Sequence, residues 1–232
     1  MKKSLIYLYG SLENKMKNKD GLSPIINILD CEDIDSIIDI TYIEFKKNHM
    51  NMEIRPKKLL GKTIFIEFSN WIEHKADCYW HFISLNEKEK FNVFPCGNNL
   101  SEYICKKNCL TRKNVITRHN REIRIICPFR AARINWILDI INLANKKDQR
   151  IKMWKKDKKL HLRYNNADID YVVIFFETKE TYRLISAFPV FYINKKQIFN
   201  KDYNDYQIKK TSNRNTKTGV SFYPVVNELL LI

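Results

Sequence analysis

At 232 residues the chain has room for one large domain or two small ones, with a substantial core either way. Its composition, 44% hydrophobic, 12% aromatic and 29% charged with a formal charge of +15, is that of a globular protein and excludes a disordered one. Five glycines (Gly10, Gly21, Gly61, Gly97 and Gly219), no two of them within ten residues, exclude a G-x-G-x-x-G dinucleotide loop, and Gly61-Lys62-Thr63 has Pro56 where a phosphate loop needs its first glycine.

The first 30 residues give a short apolar start, a Lys/Asn-rich spacer and Ser23-Pro24. Met1-Lys2-Lys3 followed by Ser4 to Tyr9 mimics the start of a signal peptide. The apolar stretch is too short and lacks a small-residue cleavage site, so a cytoplasmic protein is expected. The longest uncharged apolar run, Leu184 to Asn194, is 11 residues, too short to span a bilayer, so no membrane partner is expected. Asp33 to Lys46 is predicted to be a helix, with Ile34, Ile37, Ile38, Thr41, Tyr42 and Phe45 near one stripe and Asp33 or Asp35 as its cap. Gly61 to Phe68 and, roughly, Tyr79 to Leu85 alternate as strands. Residues 86 to 120 are irregular.

A second pattern starts near Arg121. Glu122 to Cys127 is a candidate strand ended by Pro128, and Ala131 to Ala144 a helix with Ile134, Ile137, Leu138, Ile141 and Leu143 on its buried stripe. Four strand-like runs follow: Ile151 to Lys155, Leu160 to Tyr164, Tyr171 to Glu177 and Thr181 to Tyr192. Their short polar links join antiparallel neighbours. The expected fold class is α+β: an N-terminal α/β lead-in (residues 1–77), then a domain (78–217) with a helix at about 130–145 packed on a four-stranded antiparallel meander sheet. An apolar tail, 218–232, ends the chain, and the stretch from Asn194 to Lys217 before it is polar and basic.

The charge is regional. Residues 1 to 100 carry 14 basic and 14 acidic groups, residues 101 to 150 carry 12 against 4, and residues 151 to 200 carry 10 against 5. Codon drift in an AT-rich genome inflates lysine more readily than arginine. Eight of the eleven arginines (Arg112, Arg118, Arg121, Arg124, Arg130, Arg133, Arg150 and Arg163) nonetheless fall within residues 112–163. A regional basic field points to a polyanion such as nucleic acid, or else to a solvated lysine-rich surface.

Three kinds of chemistry are compatible with these residues. Cys96, Cys105, Cys109 and Cys127, with His119 nearby, are either a zinc set of non-standard spacing or small core residues. Asp170 with Glu177-Thr178-Lys179 matches the D…E-x-K pattern of Mg²⁺-dependent nucleases, but the acids bracket one strand and lie roughly 20 Å apart, which suits turn charges better. RNA can also be cut without metal, through its own 2′-hydroxyl, given a base, an acid and phosphate-binding cations. For that chemistry His81, within Tyr79-Trp80-His81-Phe82-Ile83-Ser84, is the candidate acid or base, though a histidine there is also a natural core residue. Trp80, Trp136, Trp154 and Tyr206 are candidate base-stacking rings.

The run Pro128-Phe129-Arg130-Ala131-Ala132-Arg133-Ile134-Asn135-Trp136-Ile137 is followed by Trp154, by Asp170-Tyr171-Val172-Val173-Ile174 and by Tyr182-Arg183-Leu184-Ile185-Ser186-Ala187-Phe188-Pro189-Val190. With Trp80-His81-Phe82-Ile83-Ser84 before it and the spaced tyrosines of Lys201-Asp202-Tyr203-Asn204-Asp205-Tyr206 after it, this series resembles a phage- and mobile-element-associated group. That group belongs to the barnase–EndoU–colicin–RelE ribonuclease superfamily. The resemblance covers roughly residues 78 to 210. It implies a helix followed by a meander and a metal-independent endoribonuclease needing no cofactor, as in a toxin or phage-defence effector, with RNA as substrate and a cognate antitoxin or immunity protein as partner. It implies His81 as general base or acid, Arg133 and Arg130 on the scissile phosphate, and Ser186 on the phosphate or 2′-hydroxyl. Tyr206 or Tyr203 would stack a base or donate a proton, and Trp154, Lys155 and Arg163 would complete the RNA contacts. The competing expectation is a non-catalytic nucleic-acid-binding or regulatory protein of the same fold.

Overall fold

The computed structural model describes residues 21–86, 115–118, 120–166 and 169–218, the last with side chains to 212. Cys96, Cys105, Cys109, His119 and the tail 219–232 lie outside them. The elements are α1 (Ile34–Phe45), a π-helical turn (Lys46–Met50), β1 (Lys58–Leu59), β2 (Lys62–Phe65), β3 (Trp71–Ile72), β4 (Lys75–Ala76), α2 (Asp77–Ile83), β5 (Ser84–Asn86), β6 (Val115–Thr117) and β7 (Ile123–Ile126). They continue with α3 (Pro128–Ala131), α4 (Trp136–Asn145), β8 (Ile151–Lys156), β9 (Lys159–Asn166), β10 (Ile169–Glu177), β11 (Thr181–Pro189) and α5 (Ile193–Thr218). Among the described residues no helix is long and apolar enough to cross a membrane.

The chain is a mixed α+β protein. Its main sheet has six strands in the order β1-β2-β11-β10-β9-β8 rather than four. β8, β9, β10 and β11 pair antiparallel in succession. β2 then adds to β11 in parallel, Thr63 opposite Thr181 and Phe65 opposite Arg183, so the sheet crosses the expected division at residue 77. Asp157, at positive φ, turns the β8–β9 hairpin. A bulge in β11 leaves Ile185 as the extra residue between Leu184, opposite Phe175, and Ser186, opposite Ile174.

β10 is apolar on both faces because both faces are covered. Tyr171, Val173 and Phe175 point into the main core, shared with Ile37, Phe45, Trp80, Ile137 and Ile141 of the helices on that side. Val172 and Ile174 point the other way, into a second cluster with Trp154, Val190 and Phe199 that α5 covers. The molecule therefore has three layers, helices α1 to α4 on one face of the sheet and α5 on the other.

Three local expectations need correction. Tyr79 to Ile83 belongs to helix α2, so His81 is helical: Tyr79, Trp80, Phe82 and Ile83 are all buried at i, i+1, i+3 and i+4, a pattern that a short apolar run shares with a buried strand. The helix expected from Ala131 is broken into the single turn α3 and the separate α4, with Arg133 in the turn between them. The basic stretch after Asn194 is the 26-residue helix α5, whose packing residues Phe199, Tyr203 and Tyr206 are too few to print an obvious apolar stripe. α1 has the expected bounds to within a residue, and Asp33 caps it by accepting the Ser36 N–H at 2.8 Å.

Candidate nucleic-acid interface

His81 lies where α2 meets the β6–β7 hairpin. Arg118 reaches across from that hairpin and donates to both oxygens of Asp77, at 2.9 and 2.6 Å, and to Glu122 at 3.0 Å. Its Nη1 also lies 3.2 Å from His81 Nδ1. A guanidinium has no acceptor, so Nδ1 receives this bond and the ring carries its proton on Nε2. Burial, with Arg124, Arg118 and Arg130 close by, depresses the His81 pKa to about 3. The ring is therefore neutral and offers an N–H, not a lone pair, to a cavity of about 170 Å³ walled also by Glu67, Asp77, Arg118 and Arg183. Such a ring can donate to an anion but cannot take a proton at Nε2. Cys78, on the same wall, is pushed up to about 12 by burial and stays a thiol.

The neighbouring arginines close the end of α2. Helix termini leave carbonyls without intrahelical partners, and cations suit that end of the dipole. Arg130, 3% exposed, donates to the carbonyls of Phe82 (2.9 Å), Ser84 and Ala187, which locks α2 and β5 onto β11. Arg124 donates to Ser84 Oγ and to Ser84 O, each at 2.8 Å, and pairs with Glu122 at 2.7 Å. These groups are engaged in the fold, and Arg130 has no face left for a phosphate.

Arg133 stands elsewhere. It is 4% exposed, with its guanidinium 3.4 Å from the centroid of the Phe129 ring and 5.1 Å from that of Trp136. It lines a groove of about 730 Å³ beside Asp170, Tyr171 and the start of α5. No residue lines both this groove and the His81 cavity. Ser186 lines neither; it pairs with Ile174 and so faces the α5 side of the sheet, whereas α2 packs into the core on the opposite face. The expected catalytic set of His81, Arg133, Ser186 and Tyr206 is thus distributed over the His81 cavity, the groove, the sheet face and α5.

The expected RNA contacts also divide. Trp154 is 1% exposed and stacked on His161 at 4.8 Å, leaving no ring face for a base. Arg163 is buried against Asp170, with bonds of 2.7 and 2.6 Å, and also holds Asn200 of α5 at 2.9 Å. Glu177, at the far end of β10 from Asp170, accepts from Lys62 at 2.6 Å and from Lys155 at 2.8 Å. The Asp170–Glu177–Lys179 group therefore does not gather, and among the described residues no cluster of three or more His, Cys, Asp or Glu side chains is placed to hold a metal. Cys127 is buried beside Leu85 and Phe129.

What does come together is the edge of the sheet where α5 meets β8. Tyr203 and Tyr206, both half-buried, rest against the Trp154 cluster. Lys152 lies 5.7 Å from the Tyr203 ring centroid, and Lys156 pairs with Asp202 at 2.8 Å. Around them Lys158, Lys159, Lys195, Lys201, Lys209 and Lys210 are exposed. This is a basic surface with aromatic rings set into it. Lysine drift hid Lys152 and Lys156 in the sequence. The Asp77–Arg118 pair had no signal at all, since 41 residues separate its members. No family model, no curated protein and no solved structure matches the chain.

Acid should loosen this fold before it titrates most carboxylates. Burial holds His49 and His161 down to about 4 and His81 to about 3. Between pH 6.5 and those values the unfolded chain binds protons that the folded chain refuses, so stability is full above pH 6.5 and declines as pH falls. The fully buried His49 alone steepens the decline by up to about 1.4 kcal/mol per pH unit. Urea midpoints measured at pH 7.5 and 5.0 should differ clearly, with part of the difference removed by His49→Phe. Equal midpoints would show that the three rings are not held neutral.

Proposed function

We propose that the protein binds single-stranded RNA along the face made by β8, the β8–β9 hairpin and α5. The observation that carries this reading is the setting of Tyr203 and Tyr206 among Lys152, Lys156 and the exposed lysines of α5. Lysines track a phosphate backbone, and half-buried rings give successive bases a platform that tolerates any sequence. Tyr206→Leu keeps the apolar packing and removes the ring, and should weaken binding of a short oligoribonucleotide by roughly 5–150-fold, the range for one lost base stack. Lys209→Glu with Lys210→Glu should leave the fold intact and flatten the salt dependence, by about 0.7 in the log–log slope for each phosphate that is no longer neutralised. Fluorescence anisotropy at several salt concentrations reads both, and unchanged affinity and slope would sink the proposal.

A second reading keeps the chemistry: a metal-independent endoribonuclease of the barnase–EndoU–colicin–RelE kind, cytoplasmic and controlled by an antitoxin or immunity protein. Four successive antiparallel strands after an arginine-bearing helical segment support it, as does the His81 N–H facing a cavity that also holds Arg118 and Arg183. The same binding reaction, run in EDTA with end-labelled RNA, separates the readings. Intact RNA in the complex means binding alone, whereas 2′,3′-cyclic phosphate ends that vanish in His81→Ala mean cleavage.

A further inference from the structure

The groove beside Arg133 is not used by either reading, yet it is built like a ligand site. Its volume, about 730 Å³, is within the range of roughly 300–1,000 Å³ that small-molecule sites occupy. Two edge-to-face aromatic pairs contribute to its wall: Phe129 with Phe191, centroids 5.2 Å apart at 74°, and Trp136 with Tyr171, 5.8 Å apart at 75°. Arg133 contacts both pairs, its guanidinium laid against Phe129 and near Trp136. Such walls suit a flat, polarisable ring better than a flexible alkyl chain, because rings and guanidinium planes stack on π-faces.

The charge at the mouth points the same way. The carboxylate on the groove wall, Asp170, is held bidentately by Arg163 and so presents no net repulsion to an anion. Lys196, half-buried in the first turn of α5, adds a cation at the rim. Lys196 and Tyr203 are seven residues apart on one helix, so they share a face about 10 Å apart along the axis. The groove rim and the tyrosines therefore lie on the same, sheet-facing side of α5.

We infer that this groove is a nucleotide subsite: one unstacked base of the bound RNA enters between the aromatic pairs while its phosphate stays at the rim with Lys196. The inference deepens the RNA-binding reading and rests on it, but a free ribonucleoside monophosphate should also occupy the site alone. Titration calorimetry with the four ribonucleoside monophosphates, the matching nucleosides and decanoate is the test. Monophosphates should saturate the protein in the sub-millimolar range, at least about tenfold more tightly than nucleosides. Lys196→Glu, a surface change that should leave the fold intact, should abolish that preference for the phosphate. Phe191→Leu, which keeps apolar volume, should weaken both monophosphates and nucleosides by roughly tenfold.

No saturation by monophosphates up to about 5 mM overturns the inference. So does equal affinity for nucleoside and monophosphate, or competition by decanoate with no effect of Lys196→Glu. Tyr206→Leu distinguishes the two claims. Weakened oligonucleotide affinity with unchanged monophosphate binding supports both the interface and a separate groove. Oligonucleotide binding that persists in the wild type without any monophosphate binding removes the groove alone.

Discussion

Arg163→Ala is expected to lower the unfolding free energy by roughly 3–5 kcal/mol, the usual cost of stripping one partner from a buried ion pair. The Arg163 and Asp170 side chains are 2% and 5% exposed, and two bonds of 2.7 and 2.6 Å join them between β9 and β10. Removing the guanidinium leaves a carboxylate in an apolar layer and also releases Asn200, so α5 loses a tether to the sheet. Urea titration with the wild type and the variant measures the loss. Replacing both partners, Arg163→Met with Asp170→Leu, should recover most of it, because no charge is then left buried without a partner. A loss below about 1 kcal/mol in Arg163→Ala, with a matching loss of RNA affinity, would mean the arginine serves RNA after all.

Arg130→Ala should be nearly as severe. Three carbonyls, those of Phe82, Ser84 and Ala187, receive its donors inside the protein. Ser84 O keeps its bond from Arg124, so two carbonyls lose the donor; at about 1–3 kcal/mol for each buried polar group left without its partner, the variant should lose roughly 2–5 kcal/mol, less if water enters. Arg130→Lys cannot reproduce the three-way fork and should recover only part. The near-ultraviolet signal of Trp80, one helical turn from Ser84, follows the change at that junction. An Arg130→Ala protein with wild-type stability would refute the structural role.

These two arginines also show how far the sequence could be read. Arginine is the stronger signal of a polyanion partner in an AT-rich composition, because it drifts less than lysine. In the fold Arg118, Arg124, Arg130, Arg150 and Arg163 are engaged by carboxylates or carbonyls, whereas most of the solvent-facing cations are lysines. Positive charge density along the chain does not say which charges point outward. The four strands from β8 to β11 were legible because alternation and short turns are local signals. The parallel addition of β2 was not, since nothing near Thr63 names Thr181. His81 stands out by residue type, but its tautomer depends on Arg118, placed by a different hairpin. α5 was hidden because a helix held by Phe199, Tyr203 and Tyr206 alone has the composition of a tail.

The pairing of β2 with β11 governs the order in which the chain can be completed. Thr63 and Thr181 are more than a hundred residues apart, so β2 has no sheet to join until β11, near the end of the described chain, has been made. Loop closure on that scale is slow compared with hairpin formation. Until then Leu59 and Ile64, both buried in the finished molecule, lack the strand that completes their side of the sheet. The β8–β11 strands, joined by tight turns, can assemble quickly once released and serve as the template on which the earlier segment docks. A chain cut short before Thr181 would leave β1 and β2 without that template, and their apolar surface would be open to aggregation.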